Sequence, residues 1–148
     1  LIDYEVMTDN LGRRIIAFGY FAGVVGAHNG FWTYAKRTGS FELPRMKDLY
    51  DYAAAKKVYD ELQLPPMKIV LTGTGRVSTG AAQVLEDMGI HQVSPRDFLQ
   101  ETYDEPIYTQ LVGRDYLKHK DGNPFDKLHF YQMNILVGDY LSIVFQLV

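Results

Sequence analysis

The sequence has no cysteine. That excludes disulfides, thiolate zinc sites and thiol catalysis, and it fits a reducing compartment, so a cytoplasmic location is expected. A strong charge bias is missing too: 15 Lys and Arg stand against 18 Asp and Glu, a formal net charge of −3 over 148 residues. Nucleic-acid binding calls for a strongly basic face, and a mildly acidic chain argues against it. The first residues do not read as a signal peptide, because no charged segment precedes an apolar one. No metal-ligating constellation is expected. What remains is ordinary for a globular protein: 47% hydrophobic and 22% charged residues, in a length of roughly one domain. Thirteen glycines sit beside eleven tyrosines and eight phenylalanines, mixing turns with bulky packing groups.

Leu1-Ile2-Asp3-Tyr4-Glu5 reads as a strand already in progress over residues 1–6, with turn residues from Thr8 to Gly12 after it. The expectation is an internal piece of a longer chain. Arg13 and Arg14 then lead into 21 residues without a charged side chain, Ile15 to Ala35. Within them Gly19, Gly23, Gly26 and Gly30 recur at helical spacing and share one face, with Phe18, Phe21, Val25 and Trp32 on others. Each glycine costs a helix about 1 kcal/mol relative to alanine, so such a face implies close approach to another backbone. The length would suit a membrane span. Adjacent His28 and Asn29, with sparse Leu, Ile and Val, favour instead a buried helix packed between lobes, and no membrane association. From Lys36 to Leu64 the chain turns polar. A helix capped by Asp48 is expected to run to about Leu62, and Pro65-Pro66 stops it. This stretch reads as a hinge between two lobes.

The most informative stretch runs from Met67 to Ile90. Lys68–Leu71 reads as a strand buried on both faces. Gly73-Thr74-Gly75 follows it directly, then a helix with apolar positions at Val77, Ala81, Val84, Leu85 and Met88, ended by Gly89. Strand, glycine turn and helix in this order describe a dinucleotide-binding unit, with the helix N-terminus facing a diphosphate. The candidate cofactor-binding residues are Gly73, Gly75, Arg76, Val77, Ser78 and Gly80. Ser78 occupies the place of the third glycine of Gly-x-Gly-x-x-Gly, small enough for packing and with a hydroxyl available to phosphate. The alternative is a plain strand–helix turn that binds nothing. His91–Ser94 reads as a second parallel strand and Pro106–Leu111 as a third. The acid expected about 20 residues beyond the turn, to hold a ribose hydroxyl, is Asp97, or Asp97 simply opens a Pro-initiated helix over Arg96–Leu99. Arg96 is a possible 2′-phosphate contact, so NAD and NADP both stay open. The expected fold is α/β: a partial Rossmann-like parallel sheet with flanking helices, preceded by the remnant of a first lobe.

Several segments together resemble a family. These are Leu1-Ile2-Asp3-Tyr4-Glu5, Ala17-Phe18-Gly19 with Ala22-Gly23, Gly75-Arg76 with Gly80-Ala81, and Asp115-Tyr116-Leu117-Lys118 with Asp121-Gly122 and Pro124-Phe125. In order and spacing, from Leu1 to about Gln132, they resemble the lysine-forming, NAD-dependent saccharopine dehydrogenases, with alanine dehydrogenase and the nicotinamide nucleotide transhydrogenases as wider relatives. The resemblance implies two Rossmann-like lobes around a cleft. It also implies an NAD-dependent dehydrogenase that oxidatively cleaves saccharopine to lysine and 2-oxoglutarate. In such enzymes a Lys and a His of the first lobe do the acid–base work, in a stretch that would precede Leu1. No catalytic residue is therefore assigned here, and His28, His91, His119 and His129 are not promoted to that role. Arg13 or Arg14 is the candidate for the substrate carboxylate.

The division expected is a first-lobe remnant with its inter-lobe helix over 1–65, half of a dinucleotide lobe over 66–132, and an apolar tail over 133–148. The tail falls outside the family pattern and reads as a β-rich edge segment able to pair or dimerise. The isolated chain is expected to bind dinucleotide without turnover. The alternative is a non-catalytic dinucleotide-binding or oligomerisation module, a homodimer included.

Overall fold

The computed structural model describes residues 3–126 and the backbone of 140–142. The chain opens with a short 3-10 turn over Tyr4–Val6, capped by the Asp3 carboxylate, in place of the expected strand. Its extended neighbour makes a single antiparallel bridge between Thr8 and Arg14, closed around Asp9 and Gly12. Asp9 explains the preference for a turn, because its carboxylate accepts from the backbone amides of Leu11 and Arg13.

Helix α1 spans Gly19–Thr38. One face is buried, with Val24, His28, Phe31 and Ala35 at helical spacing, while Phe21 and Val25 stay exposed. Phe41 to Leu43 and a 3-10 turn at Met46–Asp48 lead to α2, Tyr52–Asp60. Its cap is Asp51, which accepts from the Ala54 amide at 2.8 Å. Asp48, the expected cap, lies in the preceding 3-10 turn instead.

Strand β1, Lys68–Thr72, is followed by α3 over Arg76–Asp87, β2 at His91–Gln92, α4 over Pro95–Gln100 and β3 over Ile107–Leu111. The three strands form a parallel sheet in the order β1-β3-β2. Thus β2 is parallel to β1, as expected, but β3 lies between them. Strand β3 carries the buried centre of the sheet, with Ile107, Tyr108, Thr109 and Leu111 all withdrawn from solvent. Strand β1 alternates, its Lys68, Val70 and Thr72 exposed, so it is not buried on both faces. An edge strand covered on one side gives this period of two. Short α5, Gly113–Tyr116, leads into β4, Leu117–His119, which pairs antiparallel with β5, Tyr140–Ser142. That pairing brings the backbone of part of the tail into a sheet. The rest of 133–148 lies outside the described residues.

One apolar core connects these elements. Val24 and Phe31 of α1, Leu43, Ala55 and Tyr59 of α2, Val84, Leu85 and Met88 of α3, and Tyr108 of β3 belong to the same buried cluster. Helices α1 and α3 cross with almost no side chain between them. A Cβ on Gly23 would lie 1.8 Å from the Val77 carbonyl oxygen, and one on Gly80 would lie 1.9 Å from that of Tyr20. Only glycine fits there. Gly26 and Gly30, on the same face of α1, meet nothing within 4 Å and border an apolar groove of about 440 Å³ alongside Ile69, Leu71 and Leu85. Among the described residues no helix is long and apolar enough to cross a membrane.

Candidate functional site

The C-terminal ends of β1 and β3 are level, with Thr72 opposite Leu111. The chain leaves β1 through Gly73, whose φ of +87° lies in the region that side chains disfavour. Its amide donates to the Leu111 carbonyl (2.8 Å), and its own carbonyl accepts from the Gln110 side-chain amide (2.7 Å). The turn is therefore stitched to β3 and held at a fixed height. It also means that the Gly73 amide faces the sheet and is not free for a ligand.

Helix α3 starts at once, with Gly75 as its N-cap and no side chain accepting from its first amides. Capping side chains do serve α2 and α4, through Asp51 and Ser94. The first-turn amides of α3 are left for water or an anion, at the positive end of a twelve-residue helix. Gly75 has an ordinary extended backbone, φ −87°, and a Cβ there would meet nothing within 4 Å. Neither strain nor packing demands glycine at 75. The lack of a side chain leaves open the ground in front of the helix end, which is the space a diphosphate needs.

Two cavities meet at this turn. On the α1 side, about 550 Å³ is bounded by Arg14, Gly19, Gly73, Gly75, Arg76, Val77 and Ser78. On the β3 side, about 560 Å³ is bounded by Gly73, Thr74, Gly75, Val112, Gly113, Arg114, Tyr116 and Phe125. Five of the six candidate cofactor residues thus line one or both cavities. Gly80 does not; it is buried against Tyr20, and its missing side chain serves the helix crossing. Ser78 is buried, and its hydroxyl donates to the Gly75 carbonyl at 2.9 Å, bracing the turn from within. A Cβ at Gly73 would lie 4.0 Å from the Ser78 hydroxyl oxygen, an ordinary van der Waals contact.

The two arginine candidates part company. Arg13 is engaged by Asp9, at 2.8 Å from both Nε and Nη2. Arg14 lines the cavity and has only a loose surface pair with Glu5, at 3.4 Å. Asp97 and Arg96 lie elsewhere. Ser94 caps α4 and donates its hydroxyl to Asp97 (2.7 Å), while Arg96 reaches Gln100. The other end of α4 is tied to Lys68 at the start of β1, where the Lys68 ammonium donates to the Phe98 and Glu101 carbonyls. Asp97 is thus the opening of a capped helix with Pro95 in its first turn, as one of the two readings had it.

What the spacing argument missed is the exit from β3. Val112, Gly113 and Arg114 stand beside the glycine turn because β3, and not β2, is the neighbour of β1. The available signal was the β-branched and aromatic residues of Ile107-Tyr108-Thr109, which suit a strand, though Gln110 breaks the apolar run. His28 is fully buried in α1. Its Nε2 lies 2.7 Å from the Pro44 carbonyl and its Nδ1 2.7 Å from the Tyr59 hydroxyl. Burial lowers its pKa, partly offset by the Pro44 carbonyl. Neutral and doubly held, it fastens α1 to α2 and lines neither cavity at the turn. Neither His91 nor His119 lines them. Among the described residues no group of His, Asp and Glu could hold a metal ion.

No protein-family model matches the chain. Among curated proteins it is 29% identical over 152 residues to the mitochondrial α-aminoadipic semialdehyde synthase of Rattus norvegicus, covering 88% of this chain and 16% of that protein. It is 32% identical over 139 residues to the NAD(+), L-lysine-forming saccharopine dehydrogenase of Emericella nidulans, covering 86% of this chain and 33% of that protein. With the α-aminoadipic semialdehyde synthase of Arabidopsis thaliana it shares 28% over 171 residues, 88% of this chain and 16% of that protein. The chain spans a third or less of these relatives and is homologous to them over most of its own length.

Proposed function

We propose that this relative of the lysine-forming saccharopine dehydrogenases forms the adenosine–diphosphate half of a nicotinamide dinucleotide site in an amino-acid oxidoreductase. The observation that supports the reading best is Gly75: a glycine that its own backbone and packing do not require, at the uncapped start of α3, facing open space. A diphosphate laid there meets the free amides of the first turn and the helix dipole. The two cavities then divide the rest of the ligand. Adenosine falls on the β3 side and the nicotinamide half on the α1 side, where Arg14 and Arg76 stand.

Bound nicotinamide supplies the hydride acceptor. The chain's own contribution is orientation. The Gly73 bonds to Leu111 and Gln110 fix the turn, and the α1–α3 crossing fixes the helix that presents its amides. Arg14 is placed to pair with a substrate carboxylate, a planar guanidinium matching its two oxygens. Saccharopine is the substrate proposed for the whole enzyme. The 148 residues alone are proposed to bind dinucleotide without turnover, because the described histidines are either held in packing or away from the cavities.

Calorimetric titration of the chain with NADH and with ADP-ribose tests the reading. Saturable binding of both, weakened at least about tenfold in Gly75→Val by loss of charge-assisted contacts, is the expected result. Equal affinity of wild type and Gly75→Val, or no binding of either compound, contradicts it. Saccharopine-dependent NADH production by the pure chain contradicts the proposed lack of turnover.

A further inference from the structure

In two places the sequence sets an Asp or Asn before a glycine, Asn29-Gly30 and Asp121-Gly122. The side-chain carbonyl carbon of such a residue is open to attack by the next main-chain nitrogen, because glycine has no Cβ to obstruct a five-membered ring. The fold treats the two sites differently. Asn29 lies in the middle of α1, where helical backbone holds its side chain away from the Gly30 nitrogen. Its Oδ1 also accepts from the Met46 amide at 3.2 Å. Asp121 lies in the turn after β4, where residues 120–124 are all exposed. Its side chain is 77% exposed and loosely placed, 3.5 Å from His119 Nδ1, which already accepts from the Asp121 amide. Gly122 has a φ of +82°, and a Cβ there would meet nothing within 4 Å. The Gly122 amide donates to the His119 carbonyl at 3.0 Å. That bond belongs to an exposed turn, the part of a structure that opens at least cost.

We infer that Asp121-Gly122 is a site of spontaneous backbone modification, where the folded chain converts aspartate to isoaspartate while Asn29-Gly30 stays intact. In the first step the Gly122 nitrogen bonds to Cγ of Asp121. The protonated carboxyl gives up its hydroxyl, which leaves as water with the amide proton, and a succinimide ring remains. Water then opens the ring. Entry at Cγ restores aspartate, whereas entry at the main-chain carbonyl carbon breaks its bond to the Gly122 nitrogen and leaves the chain running through Cγ. Nothing is oxidised or reduced, and the water lost in the first step is regained in the second, so the mass is unchanged. The backbone is longer by one carbon in the turn that leads to Phe125. That ring fills the space left by Gly113 on the wall of the β3-side cavity, so the altered turn lies close to the candidate site.

The test is prolonged incubation of the full chain, folded and in urea, at pH 6. Isoaspartyl methyltransferase labelling and peptide mapping with electron-transfer fragmentation then locate the product. The folded chain is expected to gain label at residue 121 and none at 29, and the unfolded chain to gain it at both. Asp121→Glu, whose closure would need a six-membered ring, is expected to lose the label at 121 with its melting temperature unchanged. The wild-type comparison between folded and unfolded chain decides the matter without any variant. No label at 121 in the folded chain, over an incubation that labels it in urea, overturns the inference. Label at 29 while α1 is folded, or label at 121 that persists in Asp121→Glu, overturns it as well.

Discussion

Gly75 and Gly80 open the same helix, yet their identities answer to different neighbours. Gly80 is dictated by the Tyr20 carbonyl, which a side chain would strike, whereas Gly75 faces space. From sequence both were candidate cofactor contacts, since the spacing of glycines does not say which side of a helix is covered. His28 was equally opaque. Its burial depends on Tyr59 and Pro44, residues far along the chain that supply its two hydrogen bonds. The consequence is a pH dependence. Burial holds the folded-state pKa of His28 below its ordinary value of 6.5, so as pH falls the unfolded chain takes up the proton first. Its contribution is complete above about 6.5 and is lost as pH falls toward the lowered pKa. Urea midpoints are expected to drop between pH 7.5 and 5.5, with His28→Asn less stable at pH 7.5 and flatter over the same range. A wild-type curve that stays level contradicts this assignment. Asp87 works in the opposite chemistry. Burial raises its pKa, but the Tyr52 hydroxyl at 2.6 Å and Lys56 at 3.0 Å outweigh it and keep the carboxylate charged. Tyr52→Phe is expected to cost about 1.5–3 kcal/mol at pH 7, typical of a hydrogen bond to a charged group, and less once Asp87 is protonated below its ordinary 3.8.

Among the elements, α1 separates packing glycines from the others on its face. Gly23→Ala and Gly80→Ala each push a methyl into backbone and are expected to destabilise by about 1–3 kcal/mol. Gly26→Ala and Gly30→Ala meet nothing and are expected to stabilise by up to about 1 kcal/mol through helix propensity. Chemical denaturation of the four variants checks both signs. Equal effects at all four positions would mean that the crossing does not sit at Gly23 and Gly80. The glycine face was legible in the sequence as a demand for close approach. Which of its four members meets that demand, Gly23 against Val77, was not, because the partner, α3, lies more than fifty residues beyond Gly23. Turn chemistry was also legible at Gly75 and Pro95, which act locally, whereas Ser94, read as the end of a strand, is the cap of α4. Strand order was not. Periodicity marks a strand but does not name its neighbour, and β3 enters between β1 and β2 through long-range pairing. That one insertion moves the adenosine-side candidates from Arg96 and Asp97 to Val112 and Arg114.

At the scale of the whole molecule, the polar stretch read as a hinge contributes Leu43, Ala55 and Tyr59 to the same buried cluster as α1, α3 and β3. The helix itself was expected from the sequence; its packing into this core depends on contacts with α1 and α3 that lie far along the chain. Trp32, packed against this core and stacked under Arg45 at 4.2 Å, reports on it. Its fluorescence and the far-ultraviolet circular dichroism are expected to change in one coincident thermal transition, as a single cooperative core requires. Two separate transitions would favour the division into lobes at 1–65 and 66–132. The proposed site rests on the uncapped amides at the start of α3, and residue-resolved chemical-shift mapping with ADP-ribose reads them one by one. The expected result is saturable shifts at the amides of residues 74–78 and at Gly113 and Arg114, with Gly23 and Gly80 unmoved. Shifts that spare the turn, or none at millimolar ADP-ribose, would contradict it.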